Sequence, residues 1–199
     1  MICAHPDDEA IGCGGTLRRH VLDGDEVSVV FLTSGERGGH GSEDPGGTRE
    51  REAHEAAGVL GIQRVEFWRE PDGRLRASRE LTGRLAALIA RLGPAVLYAP
   101  HRADDHADHR AAARLTRRAL TAAGHHAELR CFEIWAPIIE ISAVIDISAV
   151  IEDKLRAIRC YRSQCAVMPF DAAFEGLARY RGEMHSWPGG PYAEAFSER

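Results

Sequence analysis

This 199-residue sequence has almost no lysine and no closely spaced pair of cysteines, and the second absence excludes two kinds of structure. Lys154 is the only lysine, so arginine carries nearly all of the positive charge. The cysteines number five, and no two of them form a Cys-x-x-Cys pair. The sequence therefore predicts neither a disulfide framework nor a thiolate zinc cage. We expect small buried thiols and a reducing, cytoplasmic location.

Long apolar runs are absent as well. No uninterrupted apolar stretch approaches the roughly 20 residues that a membrane helix needs, and no basic start followed by apolar residues indicates a signal peptide. The formal net charge of −5 gives no electrostatic reason to bind a polyanion such as DNA. We therefore expect a protein that binds neither membranes nor nucleic acid.

The hydrophobic pattern indicates a single α/β domain over residues 1–199, because this length with 44% hydrophobic content suits one sizeable core. Short apolar runs that suit buried strands alternate with amphipathic stretches that suit helices. The pattern gives strands at 27–32, 65–68, 95–98 and 129–135, and helices at 49–60, 81–92, 109–123, 152–161 and 172–180. Such alternation predicts a mostly parallel sheet covered by helices.

Two segments depart from this pattern. Only four residues precede His5, fewer than the usual length of a buried strand, so we expect the first strand to be truncated, with a helix from about Gly14. Residues 34–48 contain several glycines and Pro45, too irregular for a helix or strand. This stretch is either a lid over a site or a surface loop.

Two clusters of acidic residues and histidines follow predicted strands. His5, Asp7, Asp8 and Glu9 come after the first strand, and the segment Asp104-Asp105-His106-Ala107-Asp108-His109 comes after the strand at 95–98. Because parallel strands end at the same edge of a sheet, both clusters should meet there. Nitrogen and carboxylate ligands are those that zinc prefers, so the convergence predicts a metal site.

Simpler interpretations exist for each piece alone. A lone His-x-x-His is more often incidental, and a lone Asp-Asp pair is usually a helix cap or a solvated turn. A nucleotide-binding domain is also conceivable from Gly12-x-Gly14, but the fingerprint Gly-x-Gly-x-x-Gly needs glycine where Leu17 stands. The joint occurrence of both clusters favours a metal site over coincidence.

The two clusters, together with Gly12, Gly14, Gly15 and Thr16, resemble the motifs of the LmbE-like, or PIG-L, family. This family includes N-acetylglucosaminyl-phosphatidylinositol deacetylases and the mycothiol and bacillithiol deacetylases. Further matching segments run along nearly the whole chain: 33–36, Arg49 and Glu52, 60–61, 71–73, Lys154, 163–164 and 192–196. The sequence departs from the family pattern at Ala107, where the family commonly has proline.

The resemblance implies a Rossmann-like three-layer sandwich and a role for each motif residue. His5, Asp8 and His109 would be the ligands of a catalytic Zn²⁺ ion. Asp7 would be the general base that takes a proton from the attacking water. His106, oriented by Asp108, would stabilise the oxyanion or protonate the leaving amine. Arg49 and Asp72 would hold sugar hydroxyls.

These two substrate residues also have simpler interpretations. Arg49 could pair only with Glu52 at i, i+3 spacing, and Asp72-Gly73 is an ordinary turn dipeptide. The three tryptophans could offer stacking surfaces for a sugar, although core or rim packing is the more common use.

The resemblance implies a hydrolase that removes an N-acyl group, normally acetyl, from a small amino-sugar conjugate, and it allows a homo-oligomer. Two alternatives stay open: hydrolysis of another amide or ester, and a noncatalytic sugar-binding module. The sequence does not identify the aglycone, because specificity would lie in loops.

Overall fold

A computed structural model of the chain describes residues 1–38 and 42–198. The strands are β1 (Ile2–Cys3), β2 (Ser28–Phe31), β3 (Arg64–Phe67), β4 (Val96–Pro100), β5 (Glu128–Phe132), β6 (Ala143–Asp146) and β7 (Ala193–Ser197). The α-helices are α1 (Asp8–Leu22), α2 (Pro45–Leu60), α3 (Arg79–Leu92), α4 (Ala107–Ala123), α5 (Ile151–Cys160), α6 (Arg162–Cys165) and α7 (Phe170–His185). None of the helices in the described part of the chain is long and apolar enough to span a bilayer.

The strands form two hydrogen-bonded groups that lie side by side. The first group, β1-β2-β3, is entirely parallel, with Ile2 opposite Val30. The second has the order β4-β5-β7-β6; β4 and β5 are parallel, whereas β7 runs antiparallel to both β5 and β6. The short β1 lies next to β4, which joins the groups. The predicted α/β fold with a mostly parallel sheet is confirmed.

Helices cover both faces of these strands, and each face has its own apolar core. On one side α1, α2, α5 and α7 contribute side chains such as Leu17, Leu60 and Leu155. On the other side α3 and α4 pack together through residues that include Leu85 and Leu115. This is the three-layer arrangement expected from the sequence.

Glycines and a serine set the helix ends in the middle of the chain. The helices α2, α3 and α4 end at Gly61, Gly93 and Gly124, all in the left-handed conformation that favours glycine. The Ser78 hydroxyl accepts a hydrogen bond from the N–H of Leu81 and so caps α3. These ends agree with the predicted helices to within a few residues.

Two expected boundaries are wrong. The first helix begins at Asp8 rather than near Gly14, and it kinks at Cys13, whose φ of −149° is not helical. After the kink, the N–H groups of Gly15 and Thr16 donate to the carboxylate of Glu194 in β7. A distant strand therefore caps the second part of α1, just after the kink. The predicted start near Gly14 corresponds to this second part, and the local sequence did not reveal the turns before it.

The other incorrect boundary is in the glycine-rich stretch 34–48. Its last residues form the start of α2, where Asp44 accepts a hydrogen bond from Gly47 and Pro45 occupies the first turn. Proline is favoured there because the first N–H groups of a helix have no partner within the helix, so the N–H that proline lacks is not needed. Residues 39–41 lie outside the described part of the chain.

The close approach of α1 to the segment after β6 leads to a stability prediction. A Cβ on Gly15 would lie 2.7 Å from the side chain of Ile147, so Gly15→Ala should lower the free energy of unfolding by about 1–3 kcal/mol. Gly83 in α3 has no atom within 4 Å of such a Cβ, so Gly83→Ala should stabilise by about 0.5–1 kcal/mol. Urea titration measures both. Equal stability of the two variants would contradict the packing argument.

Candidate metal centre and active site

The two polar clusters meet where β1 and β4 end. His5 follows β1, and a turn at Asp7, whose φ is 118°, leads into α1. His109 lies in the first turns of α4, after the loop that leaves β4. Because β1 and β4 are neighbours and both helices start at this edge, the clusters converge as the sequence predicted.

Asp8 fixes the first turn with one carboxylate oxygen and faces the second cluster with the other. Its Oδ2 accepts hydrogen bonds from the N–H groups of Ala4 at 2.7 Å and His5 at 2.9 Å. Its Oδ1 lies 3.2 Å from His109 Nε2. Burial alone would raise the pKa of Asp8, but the neighbouring His109 and His5 outweigh burial and lower it. Asp8 is therefore a buried carboxylate that stays ionised.

The imidazoles of His5 and His109 face each other. His5 Nδ1 lies 3.2 Å from His109 Nε2. The outer nitrogens face carboxylates: His109 Nδ1 lies 3.0 Å from Asp104 Oδ1, and His5 Nε2 lies 3.1 Å from Asp72 Oδ1 and 3.4 Å from Asp108 Oδ2. Carboxylates at the outer nitrogens leave the two inner nitrogens free to point at a shared cation.

Two of the three spacings among the predicted ligands fit a zinc ion, and both involve His109. His109 Nε2 is 3.2 Å from both His5 Nδ1 and Asp8 Oδ1. Ligand atoms bonded to tetrahedral zinc at roughly 2.0–2.1 Å lie about 3.3 Å from one another. The donor set of two imidazoles and one carboxylate also suits zinc, and His109 has in Asp104 the outer carboxylate partner typical of metal-bound histidine.

The charge balance of the cluster favours a cation as well. Burial alone would lower the pKa of His109, but Asp8 and Asp104 raise it to about 10. The pKa of His5 is raised to about 9, because the facing carboxylates of Asp108 and Asp72 outweigh burial. Carboxylates that favour protonated imidazoles would also stabilise a divalent cation that replaces the protons.

The described residues offer two overlapping groups of potential ligands around His5. One group consists of the ring nitrogens of His5, His106 and His109, and the other adds Asp72 and Asp108 to His5; within each group the atoms lie within 4.8 Å of one another. Neither group contains Asp8, and the second group uses the outer nitrogen of His5. Nitrogen-rich sites are the ones that suit zinc, which favours the side of His5 that faces His109.

Asp7 is held by Arg49. The guanidinium of Arg49 donates to Asp7 Oδ2 at 2.8 Å, and it also donates to the carbonyl oxygens of Pro6 and Gly35. Burial raises the pKa of Asp7 to about 6, although Arg49 acts in the opposite direction. The alternative in which Arg49 pairs with Glu52 is not what the structure shows, because Glu52 binds the N–H and hydroxyl of Ser163.

His106 and Asp108 are arranged differently from the expectation. The His106 ring lines the same cavity, and its Nδ1 accepts a hydrogen bond from the backbone N–H of Asp108 at 3.2 Å. The Asp108 carboxylate instead accepts from the N–H groups of Gly73 at 2.6 Å and Leu75 at 3.2 Å, and its Oδ2 faces His5. Burial lowers the pKa of His106, so the ring is neutral at pH 7.

Asp72 ties part of the glycine-rich stretch to the site. Its Oδ2 accepts from the N–H of Arg37 at 2.9 Å, while its own N–H donates to Glu36 at 2.8 Å. The carbonyl of Gly38 accepts from the side chain of Gln164 at 3.1 Å. Residues 36–38 are therefore fixed at the edge of the site, whereas the rest of the stretch, expected as either a lid or a surface loop, includes residues 39–41, outside the described part of the chain.

A cavity of about 390 Å³ opens above the cluster, a size that suits a small molecule. The three predicted ligands and Asp7 line its floor, together with Arg49, Asp72 and His106. Ile11, Ile134, Trp135 and Phe170 form an apolar part of the wall, and Arg37 and Gln164 contribute polar groups. A second cavity of about 310 Å³ lies where the strands begin, far from the two clusters, and is lined mainly by apolar residues.

Sequence reasoning did not assign roles to three side chains that support the site. Asp104 was noted within the motif, but its contacts with His109 and with the N–H of Trp135 could not be read from spacing. Glu9 accepts from the hydroxyl of Tyr161 at 2.5 Å, and burial raises the pKa of Glu9 to about 8. His101, the residue after β4, is buried and its Nε2 hydrogen-bonds the carbonyl of Ala136, so its role here is structural.

Comparisons with known proteins identify the family of this chain. Residues 1–120 match the model of the PIG-L family, described as GlcNAc-PI de-N-acetylase. A diacetylchitobiose deacetylase from Thermococcus kodakarensis is 31% identical over 180 residues, covering 80% of this chain and 67% of the relative.

Solved structures show the same fold. The conserved protein TT1542 from Thermus thermophilus superposes with a TM-score of 0.88 at 36% identity, covering 98% of this chain and 91% of the other. GalB, the 4-carboxy-2-hydroxymuconate hydratase from Pseudomonas putida, has a TM-score of 0.87 at 25% identity, covering 98% and 93%. The family match spans more than half of the chain, and the fold matches across nearly all of it. The chain belongs to the PIG-L family, as its motifs indicated.

Proposed function

We propose that this protein is a zinc-dependent hydrolase that removes an N-acyl group, normally acetyl, from a small amino-sugar conjugate. The observation that carries the proposal is the meeting of both motif clusters at one cavity floor, with His109 Nε2 3.2 Å from His5 Nδ1 and Asp8 Oδ1. The family description and the diacetylchitobiose deacetylase support an amino-sugar amide as the substrate.

His5, Asp8 and His109 would hold the zinc ion. When bound, zinc supplies Lewis-acid activation of water and polarises the amide carbonyl. Asp104 orients His109, and Asp108 with Asp72 orients His5, through the outer ring nitrogens. Such outer partners fix the ring tautomer and position, and their loss typically weakens metal binding by about 10–100-fold.

Asp7 is the general base of the proposal. It lies beside the ligands at the cavity floor, and burial raises its pKa to about 6. A general base is most efficient when its pKa is near the working pH, so this pKa suits a base that acts near pH 7. Arg49 holds the carboxylate and the backbone of this turn in place. We therefore assign Arg49 first to positioning Asp7, in addition to any contact with the sugar.

His106 is the proposed partner of the substrate oxygen or leaving amine. Its Nδ1 is occupied by the Asp108 N–H, so a neutral ring carries its proton on Nε2. A donor at that atom can stabilise the oxyanion that develops during amide attack, an effect typically worth about 10²-fold or more. The amine then leaves with a proton delivered from Asp7 or His106.

A second candidate function comes from the hydratase GalB, whose fold is nearly the same. Water addition to a carbon–carbon double bond would use the same general base and would release no acetate. Hydrolysis of another amide or an ester is a further alternative within the same chemistry.

We also propose a reducing, cytoplasmic location, supported by the five free cysteines.

The test is a metal-dependent assay of acetate and free amine release from N-acetylamino sugars, including N-acetylglucosamine and N,N′-diacetylchitobiose. We expect equal amounts of acetate and amine, loss of turnover after treatment with a chelator, and recovery with zinc. A protein that binds zinc but releases no acetate from any of these compounds would not be the proposed enzyme. Turnover unaffected by complete metal removal would overturn the zinc mechanism.

A further inference from the structure

One large aromatic side chain at the cavity has no part in the proposed metal chemistry. Trp135 lines the cavity and is 44% exposed, whereas the floor residues His5, Asp8 and His109 are all buried. This gradient in exposure places Trp135 at the rim. A ligand whose amide reaches the floor would therefore meet Trp135 with the part that lies further out.

The position of Trp135 is fixed relative to the floor. Its backbone N–H donates to Asp104 Oδ2 at 3.0 Å, while the other oxygen of the same carboxylate lies 3.0 Å from His109 Nδ1. On one side the indole meets Phe170 edge to face, with ring centroids 6.0 Å apart and an interplanar angle of 73°. The same carboxylate thus positions both a proposed ligand and the rim aromatic.

The chemistry of this wall suits a ring with an apolar face. Trp135 shares the wall with the buried Phe170 and Ile134, so the exposed indole surface continues an apolar patch. A pyranose ring presents C–H groups on its faces and hydroxyls at its edge. Covering the indole with such a face removes apolar area from water, while the hydroxyls remain free to reach polar groups such as Arg37 and Gln164.

We propose that Trp135 is a specificity-determining platform on which the substrate's second ring, attached to the reacting amino sugar, stacks. This inference rests on the proposed deacetylase function and narrows its substrate class to conjugates whose aglycone is a ring with an apolar face, such as another sugar. The other two tryptophans are not placed to stack against a ligand in this cavity. Trp68 is buried beneath Arg84, and Trp187 is 90% exposed and does not line the cavity.

The experiment compares N-acetylglucosamine, which has one ring, with N,N′-diacetylchitobiose, which has two, on the zinc-loaded protein. Trp135→Ala should reduce kcat/KM for the disaccharide about 10-fold, mainly through KM, and change that for the monosaccharide by less than about 2-fold. Trp135→Phe should retain most of the preference because it keeps an aromatic face. Trp187→Ala is the matched control and should change neither value.

Equal losses on both substrates, or no loss on the disaccharide, would overturn the platform. Binding of the disaccharide, followed by tryptophan fluorescence, separates this outcome from failure of the deacetylase proposal. A fluorescence change that is present in the wild type and lost in Trp135→Phe supports the platform even if no acetate is released. Without any such change and without turnover, both proposals fail.

Discussion

Replacement of Asp7 by asparagine should lower kcat at least about 10²-fold while leaving one zinc ion per chain. Asparagine is the suitable substitute because Asp7 has a φ of 118°, a conformation that asparagine tolerates better than alanine. Its side-chain oxygen can still accept from Arg49, so the turn should keep its shape. The substitution therefore removes proton transfer with little change in the metal site.

The pH profile gives an independent readout of the same residue. A general base acts only when deprotonated, so kcat/KM should fall tenfold per pH unit once the pH drops below the pKa of Asp7. Burial sets that pKa at about 6, and the positive charge of a bound metal would move it lower. With zinc kept saturating at every pH, the acidic limb should therefore begin at or below about pH 6, and Asp7→Asn should abolish it.

The exposed Asp105 offers a matched control in the same polar region. Its carboxylate makes no contact with the described ligands, so Asp105→Asn should retain wild-type kcat, pH profile and zinc content. Turnover of Asp7→Asn within a few fold of the wild type would reassign the base. Loss of zinc from that variant would instead make Asp7 part of the metal site.

The sequence was sufficient for the fold where local pattern and buried environment agree. The runs at 27–32 and 95–98 are strands within one or two residues, because a parallel strand buried on both faces is apolar throughout. The sequence pattern did not predict β6 and β7, because these strands are not apolar throughout. β6 and β7 pair antiparallel at one side of the sheet, and Glu194 inside β7 interrupts the apolar pattern with a buried charge.

That charge has a tertiary cause. Glu194 accepts hydrogen bonds from the N–H groups of Gly15 and Thr16, and it binds Lys154, the only lysine of the chain, at 2.5 Å. No local signal links residues so far apart in sequence. In the buried pair each charge compensates the other, and the Glu194 carboxylate also caps the second part of α1. This role follows from tertiary contacts and could not be predicted from local sequence.

For the site, the sequence predicted convergence but not orientation. Two clusters after parallel strands had to meet at one edge, and they do. Spacing alone could not show that Asp108 turns its carboxylate towards His5 instead of His106, since both are within reach of the same loop. It also could not show that Arg49, 42 residues from Asp7, holds the proposed base.

Zinc uptake should release about one to two protons per ion at pH 7.5. In the metal-free protein carboxylates raise the pKa values of His5 and His109 to about 9 and about 10, which favours protonated imidazole at that pH. His5 Nδ1 and His109 Nε2 lie 3.2 Å apart, a contact that one shared proton satisfies, so the pair holds one to two protons more than two neutral rings. Zinc binds only the neutral imidazoles, and each ring that becomes a ligand must therefore lose a proton. Calorimetric titration in buffers of different ionisation enthalpy counts the released protons.

The same linkage predicts how the apparent affinity depends on pH. With one to two protons displaced, the affinity should rise by about 10-fold to 10²-fold per pH unit between pH 7 and about 9, then more slowly, and level off above about 10. Asp104→Asn removes a carboxylate that raises the pKa of His109, so that variant should release fewer protons and bind zinc about 10–100-fold more weakly. Asp105→Asn should match the wild type. Release of fewer than one proton by the wild-type protein would mean that zinc does not displace protons from both imidazoles, and the assignment of His5 and His109 as joint ligands would have to be abandoned.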